Sequence, residues 1–119
     1  MSNDAFVQNS LVSGGCYIDG NIDYSVLFAN VNIEKGATVK YSIIMPGATV
    51  KAGATVQYAM VAENAVIESG AVVGEDPEKC SDLSKWGVTV IGSDVTVGKN
   101  AAVSANIMVD ENVEEGKKI

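Results

Sequence analysis

Three consecutive lines of sequence decide the fold: YSVLFANVNIEKGATVK from Tyr24, YSIIMPGATVKAGATVQ from Tyr41 and YAMVAENAVIESGAVVG from Tyr58. Each line has 17 residues, and the three superpose without a gap. Within every line the large aliphatic residues recur at steps of 6, 6 and 5. They are Leu27, Ile33, Val39, Ile44, Val50, Val56, Val61, Ile67 and Val73. A helix would repeat its apolar positions every three or four residues, so this spacing argues against helices.

Two further positions repeat together with the aliphatic residues. The residue two places before each aliphatic residue is small, with Val31 as the one exception. The residue three places before, on the six-residue steps, is glycine or asparagine, the types that tolerate positive φ. These are Asn30, Gly36, Gly47, Gly53, Asn64 and Gly70. Each hexad therefore predicts a short strand with an inward aliphatic residue and a sharp corner, and three hexads close one triangular coil.

The pattern continues on both sides of the three lines. Upstream, Val12, Ile18 and Ile22 predict an imperfect coil that is two residues short between Ile18 and Ile22. Downstream the steps of six resume at Ile91, Val97, Val103 and Val109. The corner positions there are occupied by Asp94, Asn100 and Asn106. We expect about five coils, which is enough for stacked repeats to bury a continuous core.

One insertion interrupts the repeat. The step from Val73 to Ile91 is 18 residues where 5 would be expected. The segment 74–87, GEDPEKCSDLSKWG, is charged and contains Pro77, so it is predicted to be a loop ejected from one corner. Trp86, near the base of this loop, is expected to cap a coil or to anchor a partner.

Composition and charge exclude several classes of function. The chain has 119 residues with a net charge of −7, and we expect one domain over 1–119. Histidine is absent, which excludes Ser-His-Asp, Cys-His and His-zinc chemistry. All eight basic residues are lysines, so nucleic-acid binding is not expected. Cys16 and Cys80 have no metal or redox spacing and are expected to be reduced.

The sequence also predicts where the protein resides. No apolar run approaches the roughly 20 residues of a membrane helix, so we expect no membrane partner. The start, Met1 to Asp4, lacks the basic and apolar regions of a secretory signal. Both features predict a cytoplasmic protein.

One outer face of the predicted coils is apolar. Side chains alternate across a strand, so the neighbours of the inward residues point outward. Around Ile33, Val50 and Ile67 these neighbours are mostly polar, and Glu34, Lys51 and Glu68 are expected to form a solvated charge ladder. Around Leu27, Ile44 and Val61 the outward residues are apolar, and Leu11 and Val90 extend one column of them. A stack of three tyrosines borders this column. This predicts an interface formed by Leu11, Val26, Phe28, Ile43, Met45, Met60, Tyr24, Tyr41 and Tyr58.

The hexads resemble the all-β, single-stranded left-handed parallel β-helix, a hexapeptide-repeat solenoid; the handedness rests on that resemblance alone. Two enzyme classes use the fold by itself: hexapeptide acyltransferases, which rely on a catalytic histidine, and gamma-class carbonic anhydrases, which hold zinc through three histidines. The absence of histidine excludes both activities for this chain. We therefore expect no catalytic, cofactor or metal site here.

The stretch 9–50 resembles the C-terminal domain of bacterial glucose-1-phosphate adenylyltransferase (ADP-glucose pyrophosphorylase), in its catalytic-type subunit. The resemblance lies in Asn9-Ser10-Leu11-Val12, in Ser25-Val26-Leu27-Phe28 and in Ser42-Ile43-Ile44-Met45-Pro46-Gly47-Ala48. It implies a parent nucleotidyltransferase that converts ATP and glucose 1-phosphate to ADP-glucose and pyrophosphate with a divalent cation, a step of glycogen biosynthesis. The Gly-rich nucleotide loop and metal-binding aspartates of that enzyme have no counterpart here, so we expect a fragment lacking the N-terminal nucleotidyltransferase domain.

The resemblance also implies partners and a role. The expected partners are the N-terminal catalytic domain and other subunits of a homo- or hetero-oligomer, a tetramer in the family. The expected role is docking, assembly and allosteric control without catalysis. Where enterobacterial relatives carry arginines near the activator site, this chain has Asn30, Asn32 and Lys35, the possible effector contacts. Three alternatives stay open: a non-catalytic paralogous subunit, a freestanding structural solenoid, and an acyltransferase fragment completed by another chain's histidine.

Overall fold

The chain forms a three-sided parallel β-solenoid. The structure, a computed structural model, describes residues 6–79 and 82–119. Its short strands visit three sheets in turn, so that each sheet collects one strand from every coil. The described elements are strands and two short 3₁₀ helices, and no helix among them is long and apolar enough to span a membrane.

All neighbouring strands in the three sheets pair in parallel. Sheet A contains β1 (Phe6–Gln8), β4 (Asn21–Asp23), β7 (Thr38–Lys40), β10 (Thr55–Gln57), β13 (Val72–Val73) and β16 (Ala102–Val103). Sheet B contains β2 (Leu11–Val12), β5 (Val26–Leu27), β8 (Ile43–Ile44), β11 (Ala59–Val61), β14 (Thr89–Ile91) and β17 (Met108–Val109). Sheet C contains β3 (Tyr17–Ile18), β6 (Asn32–Ile33), β9 (Thr49–Val50), β12 (Val66–Ile67) and β15 (Thr96–Val97).

The solenoid has about six turns, one more than the repeat predicts. The first strand, Phe6–Gln8, pairs with Asn21–Asp23 and adds to the N-terminal end. At the C-terminal end, isolated bridges join Val97 to Val113 and Ala102 to Lys118. Val7 precedes Val12 by the five-residue step of the repeat, so this strand extends the pattern beyond the first residue assigned from the sequence. At the other end the step from Val109 to Val113 is only four residues, which hides the last turn.

The predicted inward residues form the core. The nine aliphatic residues of the three repeats are each 0% exposed. The short upstream step is confirmed, because Ile18 pairs with Ile33 and Ile22 pairs with Val39 although Ile18 and Ile22 are only four residues apart. Val12 differs from the prediction. It is 40% exposed because its strand is the last in sheet B and has a neighbour on one side only.

Glycine and asparagine occupy the corners as predicted. Asn30, Asn64 and Gly47 all have positive φ, and so do the downstream corner residues Asp94 and Asn106. At one corner glycine and asparagine alternate between coils for a packing reason, since a Cβ on Gly47 would overlap Oδ1 of Asn64. The asparagine amide of one coil therefore fills the space that the glycine of the neighbouring coil leaves open.

The insertion is a loop, as predicted, and it leaves the solenoid between sheets A and B. It contains two 3₁₀ helices, Pro77–Lys79 and Leu83–Lys85. The Asp82 carboxylate accepts a hydrogen bond from the Ser84 backbone N–H and so caps the second of them. The predicted state of Cys80 lies outside the described residues.

Candidate docking surface

The outward side of sheet B carries an unbroken ladder of apolar side chains. The parallel register places six residues in one column, one from each strand. They are, in order along the solenoid, Leu11, Val26, Ile43, Met60, Val90 and Met108, and we call each of the six strands with its outward residue a rung. The two end residues are 71% and 76% exposed, and Ile43 and Met60 in the middle are each 38% exposed. The sequence analysis did not include Met108, although it directly precedes the inward residue Val109.

A second, shorter apolar column lies beside the ladder. Phe28 is 39% exposed, and Met45 and Ala62 are partly exposed. Each residue of this column directly follows an inward residue of sheet B. On the last strand the inward residue is Val109, which pairs with Ile91, so the residue in this column is Asp110. We call the ladder together with Phe28, Met45 and Ala62 the apolar face. The described residues leave this face open to solvent, and a patch of this kind on a monomer usually marks a contact surface.

The other two faces are polar by comparison. On sheet C the Lys51 ammonium lies 3.4 Å from the Glu68 carboxylate, and Glu34 accepts a hydrogen bond from the Ala52 N–H. The charge ladder predicted from the sequence therefore has one ion pair. On sheet A the exposed Phe6 and Val72 are separated in their column by Asn21, Thr38 and Thr55. An exposed ion pair of this kind contributes little to stability. Neither sheet A nor sheet C presents an unbroken apolar column like that of sheet B.

A stack of aromatic rings borders the apolar face at the corner between sheets A and B. The ring centroids of Tyr24 and Tyr41 are 5.1 Å apart, and those of Tyr41 and Tyr58 are 4.8 Å apart. Trp86 continues the stack with its ring at 83° to that of Tyr58 and a centroid distance of 5.6 Å. Its indole N–H donates to the Glu75 carbonyl at 2.7 Å. Trp86 therefore caps the tyrosine stack from the ejected loop.

The backbone of the three tyrosines is unusual. Tyr24, Tyr41 and Tyr58 have φ values of 48°, 49° and 48°, in the region that glycine or asparagine usually occupies. A left-handed conformation costs a side chain with a Cβ about 1 kcal/mol, which stacking of the rings offsets. The repeat predicts the stack but not this strain, because tyrosine is not a residue type that signals a left-handed corner.

Hydroxyl groups tie the same corner together behind the apolar face. The Ser25 hydroxyl accepts a hydrogen bond from the Ser42 N–H at 3.2 Å, and the Ser42 hydroxyl accepts one from the Ala59 N–H at 3.2 Å. Each hydroxyl also donates to a carbonyl two residues earlier in its own coil. Sequence analysis identified these serines only as small residues. These hydrogen bonds join three successive coils where the chain enters sheet B.

The ejected loop changes the titration of one tyrosine. Burial raises the pKa of Tyr58, and the negative charges of Asp76 and Glu78 raise it further. We therefore expect one tyrosine to ionise later than the others in an alkaline absorbance titration, and Tyr58→Phe to remove that late phase. Because the folded pKa is raised above 10.0, this group's contribution to stability is present below that pH and is lost as pH rises through the folded pKa. A titration with one common transition for all tyrosines would contradict this.

The possible effector contacts lie on one strand of sheet C and at the corners on either side of it. Asn30, with φ of 61°, is a corner residue between sheets B and C, and its Oδ1 occupies the space where a Cβ on Gly15 would lie. Asn32 is exposed on sheet C, and Lys35 lies beyond the same strand at the next corner. The described structure thus gives Asn30 a packing role, and the effector role of all three remains a prediction.

We next consider metal ligands, the cysteine thiol and clefts among the described residues. They hold no group of three or more histidine, cysteine, aspartate or glutamate side chains that could bind a metal ion. Cys16 is a free thiol whose Sγ donates to the Phe28 carbonyl. A cleft of about 190 Å³ lies at the C-terminal end, lined by Asp110, Glu111, Lys117 and their neighbours. Small-molecule sites usually have volumes of 300 Å³ or more, so this cleft is small for a substrate site.

Comparisons with known proteins agree with this architecture. Residues 1–91 match the family described as GlmU-like, C-terminal hexapeptide. The glucose-1-phosphate adenylyltransferase of Thermosipho africanus (strain TCF52B) is 52% identical over 123 aligned positions, covering 95% of this chain and 30% of that protein. The enzyme of the same name from Bacillus subtilis (strain 168) is 51% identical over 39 residues, 33% of this chain and 10% of that protein. The chain thus spans less than a third of the length of these relatives.

Among solved structures, the acetyltransferase domain of PglB from Neisseria gonorrhoeae FA1090 matches with a TM-score of 0.44 and 17% identity, over 96% of this chain and 53% of that one. The matched family covers most of the sequence, and the Thermosipho relative aligns along nearly all of it. The chain therefore belongs to the GlmU-like C-terminal hexapeptide family and is homologous to the C-terminal part of glucose-1-phosphate adenylyltransferases.

Proposed function

We propose that this chain is the C-terminal domain of a glucose-1-phosphate adenylyltransferase and that it docks the catalytic domain, supports assembly of the oligomer and hosts allosteric control. The parent enzyme would use ATP and glucose 1-phosphate in glycogen biosynthesis in the cytoplasm. The domain itself would carry out no catalysis. The Thermosipho relative supports this proposal because nearly all of this chain aligns with a protein of that name.

The apolar face is the single observation that carries the docking role. Six coils contribute one apolar side chain each to the ladder, and four of the six are at least 38% exposed. A solenoid whose only function is structural has no physical reason to expose such a column, because polar side chains on the same strands would satisfy the fold equally well. The charged face of sheet C shows that this chain accepts polar side chains at the equivalent positions.

Introducing charged residues into the apolar face tests the docking role directly. We expect a chimera in which this chain replaces the matching part of the Thermosipho africanus enzyme to assemble and to synthesise ADP-glucose. Phe28→Glu/Ile43→Glu in that chimera should reduce assembly in sedimentation experiments, because two buried carboxylates would lose their hydration without gaining partners. Glu34→Lys/Thr55→Glu, on the polar faces, should leave assembly unchanged.

Two results would overturn the docking role. One is a chimera that assembles equally well with the Phe28→Glu/Ile43→Glu pair. The other is an unmodified chimera that folds but does not assemble. The first result would favour a freestanding structural solenoid. Circular dichroism of the isolated variant chain separates loss of docking from loss of folding, since both substituted side chains lie outside the core.

A further inference from the structure

The borders of the apolar face differ in charge along the solenoid. Beside the first three rungs, the corner between sheets B and C carries no charged residue: the residues there are Gly14, Gly15, Ala29, Asn30, Pro46 and Gly47. Beside the last three rungs, the same corner carries Glu63, Asp94 and Asp110, all exposed. The face is therefore neutral at one end and acidic at the other.

The opposite border repeats this difference. Beside the first three rungs, sheet A presents one negative and one positive residue, Asp23 and Lys40. Beside the last three rungs lies the ejected loop, whose Asp76 and Glu78 are near enough to Tyr58 for their charges to act on its phenol. The loop also carries Lys79 and Lys85, so the acidic excess is greater on the border of Glu63, Asp94 and Asp110.

The size of the face argues against a second copy as its occupant. Along the solenoid axis, six rungs at the usual spacing of about 4.8 Å span about 24 Å. Along the strands, the face extends over three to four residues, or about 12 Å. Two flat faces in contact would bury only about 300 Å² on each copy, whereas stable dimers need about 800 Å² on each side. A larger partner that also covers the borders would bury more, and it would then meet the carboxylates beside the last three rungs.

We propose that the apolar face is covered by a basic segment of the catalytic domain, with lysine or arginine side chains placed over the rungs of Val90 and Met108. The proposal rests on the docking function and adds the charge of the partner and its orientation. A partner that covers Glu63 and Asp110 removes water from two carboxylates. That step is unfavourable unless cations of the partner replace the water. The corner beside the rungs of Val26 and Ile43 carries no carboxylate, so no cation is needed there.

Charge reversal at the acidic end tests the proposal. The probe is the part of the Thermosipho africanus enzyme that precedes its matching domain, expressed separately and titrated with this chain by calorimetry. We expect Glu63→Lys/Asp110→Lys to weaken association by about tenfold at about 50 mM NaCl. The difference should shrink near 1 M NaCl, where the Debye length is about 3 Å. Glu114→Lys/Glu115→Lys has the same change in net charge away from sheet B and should alter the affinity by less than about twofold.

The outcomes separate this inference from the proposed function. Equal effects of the two charge pairs, or tighter association of Glu63→Lys/Asp110→Lys, would overturn the basic partner. If Phe28→Glu/Ile43→Glu abolishes association in the same titration, the docking function stands despite that failure. If neither the apolar pair nor the acidic pair matters, or the unmodified chain does not associate, both ideas fail. Circular dichroism confirms that each variant is folded.

Discussion

Leu27→Ala is expected to lower the free energy of unfolding by about 3 kcal/mol. Leu27 is 0% exposed, and its strand lies between the strands of Val12 and Ile44 in sheet B. Removing three carbon atoms leaves a cavity between coils, because the neighbouring backbones are held at the spacing of the parallel ladder and cannot close around it. Urea unfolding followed by far-UV circular dichroism measures the loss.

Leu11→Ala provides a matched control for this prediction. It removes the same atoms from an adjacent strand of the same sheet, but Leu11 points outward and is 71% exposed. We expect it to change stability by less than about 0.5 kcal/mol. Equal losses for the two variants would mean that the alternation of inward and outward residues in sheet B is wrong. The apolar face, which depends on the same alternation, would then be wrong as well.

The sequence predicts most of the solenoid because its repeat encodes two properties at once. An aliphatic residue every five or six positions defines the core, and on the six-residue steps a glycine or asparagine three positions earlier defines the corner. Their agreement over three lines leaves little freedom for another fold. The C-terminal end is less predictable, because the step from Val109 to Val113 is four residues and the last turn pairs only through isolated bridges at Val113 and Lys118.

The apolar face is partly predictable from the same alternation. Leu11, Val26, Ile43, Met60 and Val90 follow directly from their inward neighbours, and the structure aligns them in one column. The acidic border is also partly predictable, because the repeat places Asp94 in a corner position and Glu63 and Asp110 just after inward residues. The opposite border is not, because it depends on where the ejected loop lies, and the loop contains no repeat from which its path could be inferred.

Gly74, the residue where the ejected loop begins, packs directly against the backbone of the neighbouring coil. Gly74→Ala is expected to lower the free energy of unfolding by about 3 kcal/mol. Gly74 has φ of 87°, and a Cβ there would overlap the carbonyl oxygen of Gln57. Because that oxygen belongs to the backbone of the neighbouring coil, the overlap cannot be relieved by rotating a side chain. One of the two coils must move.

Gly53→Ala separates the overlap from the backbone strain. Gly53 has φ of 73°, and a Cβ there would meet no atom within 4 Å, so we expect a loss of only about 1 kcal/mol. Gly74→Ala should also change the fluorescence of Trp86, the one tryptophan of the chain, because moving the start of the loop disturbs its contact with Tyr58. Gly53→Ala should leave that fluorescence unchanged. Equal losses of stability for the two variants, with no change at Trp86, would show that the loop is not held against the tyrosine stack by the packing of Gly74.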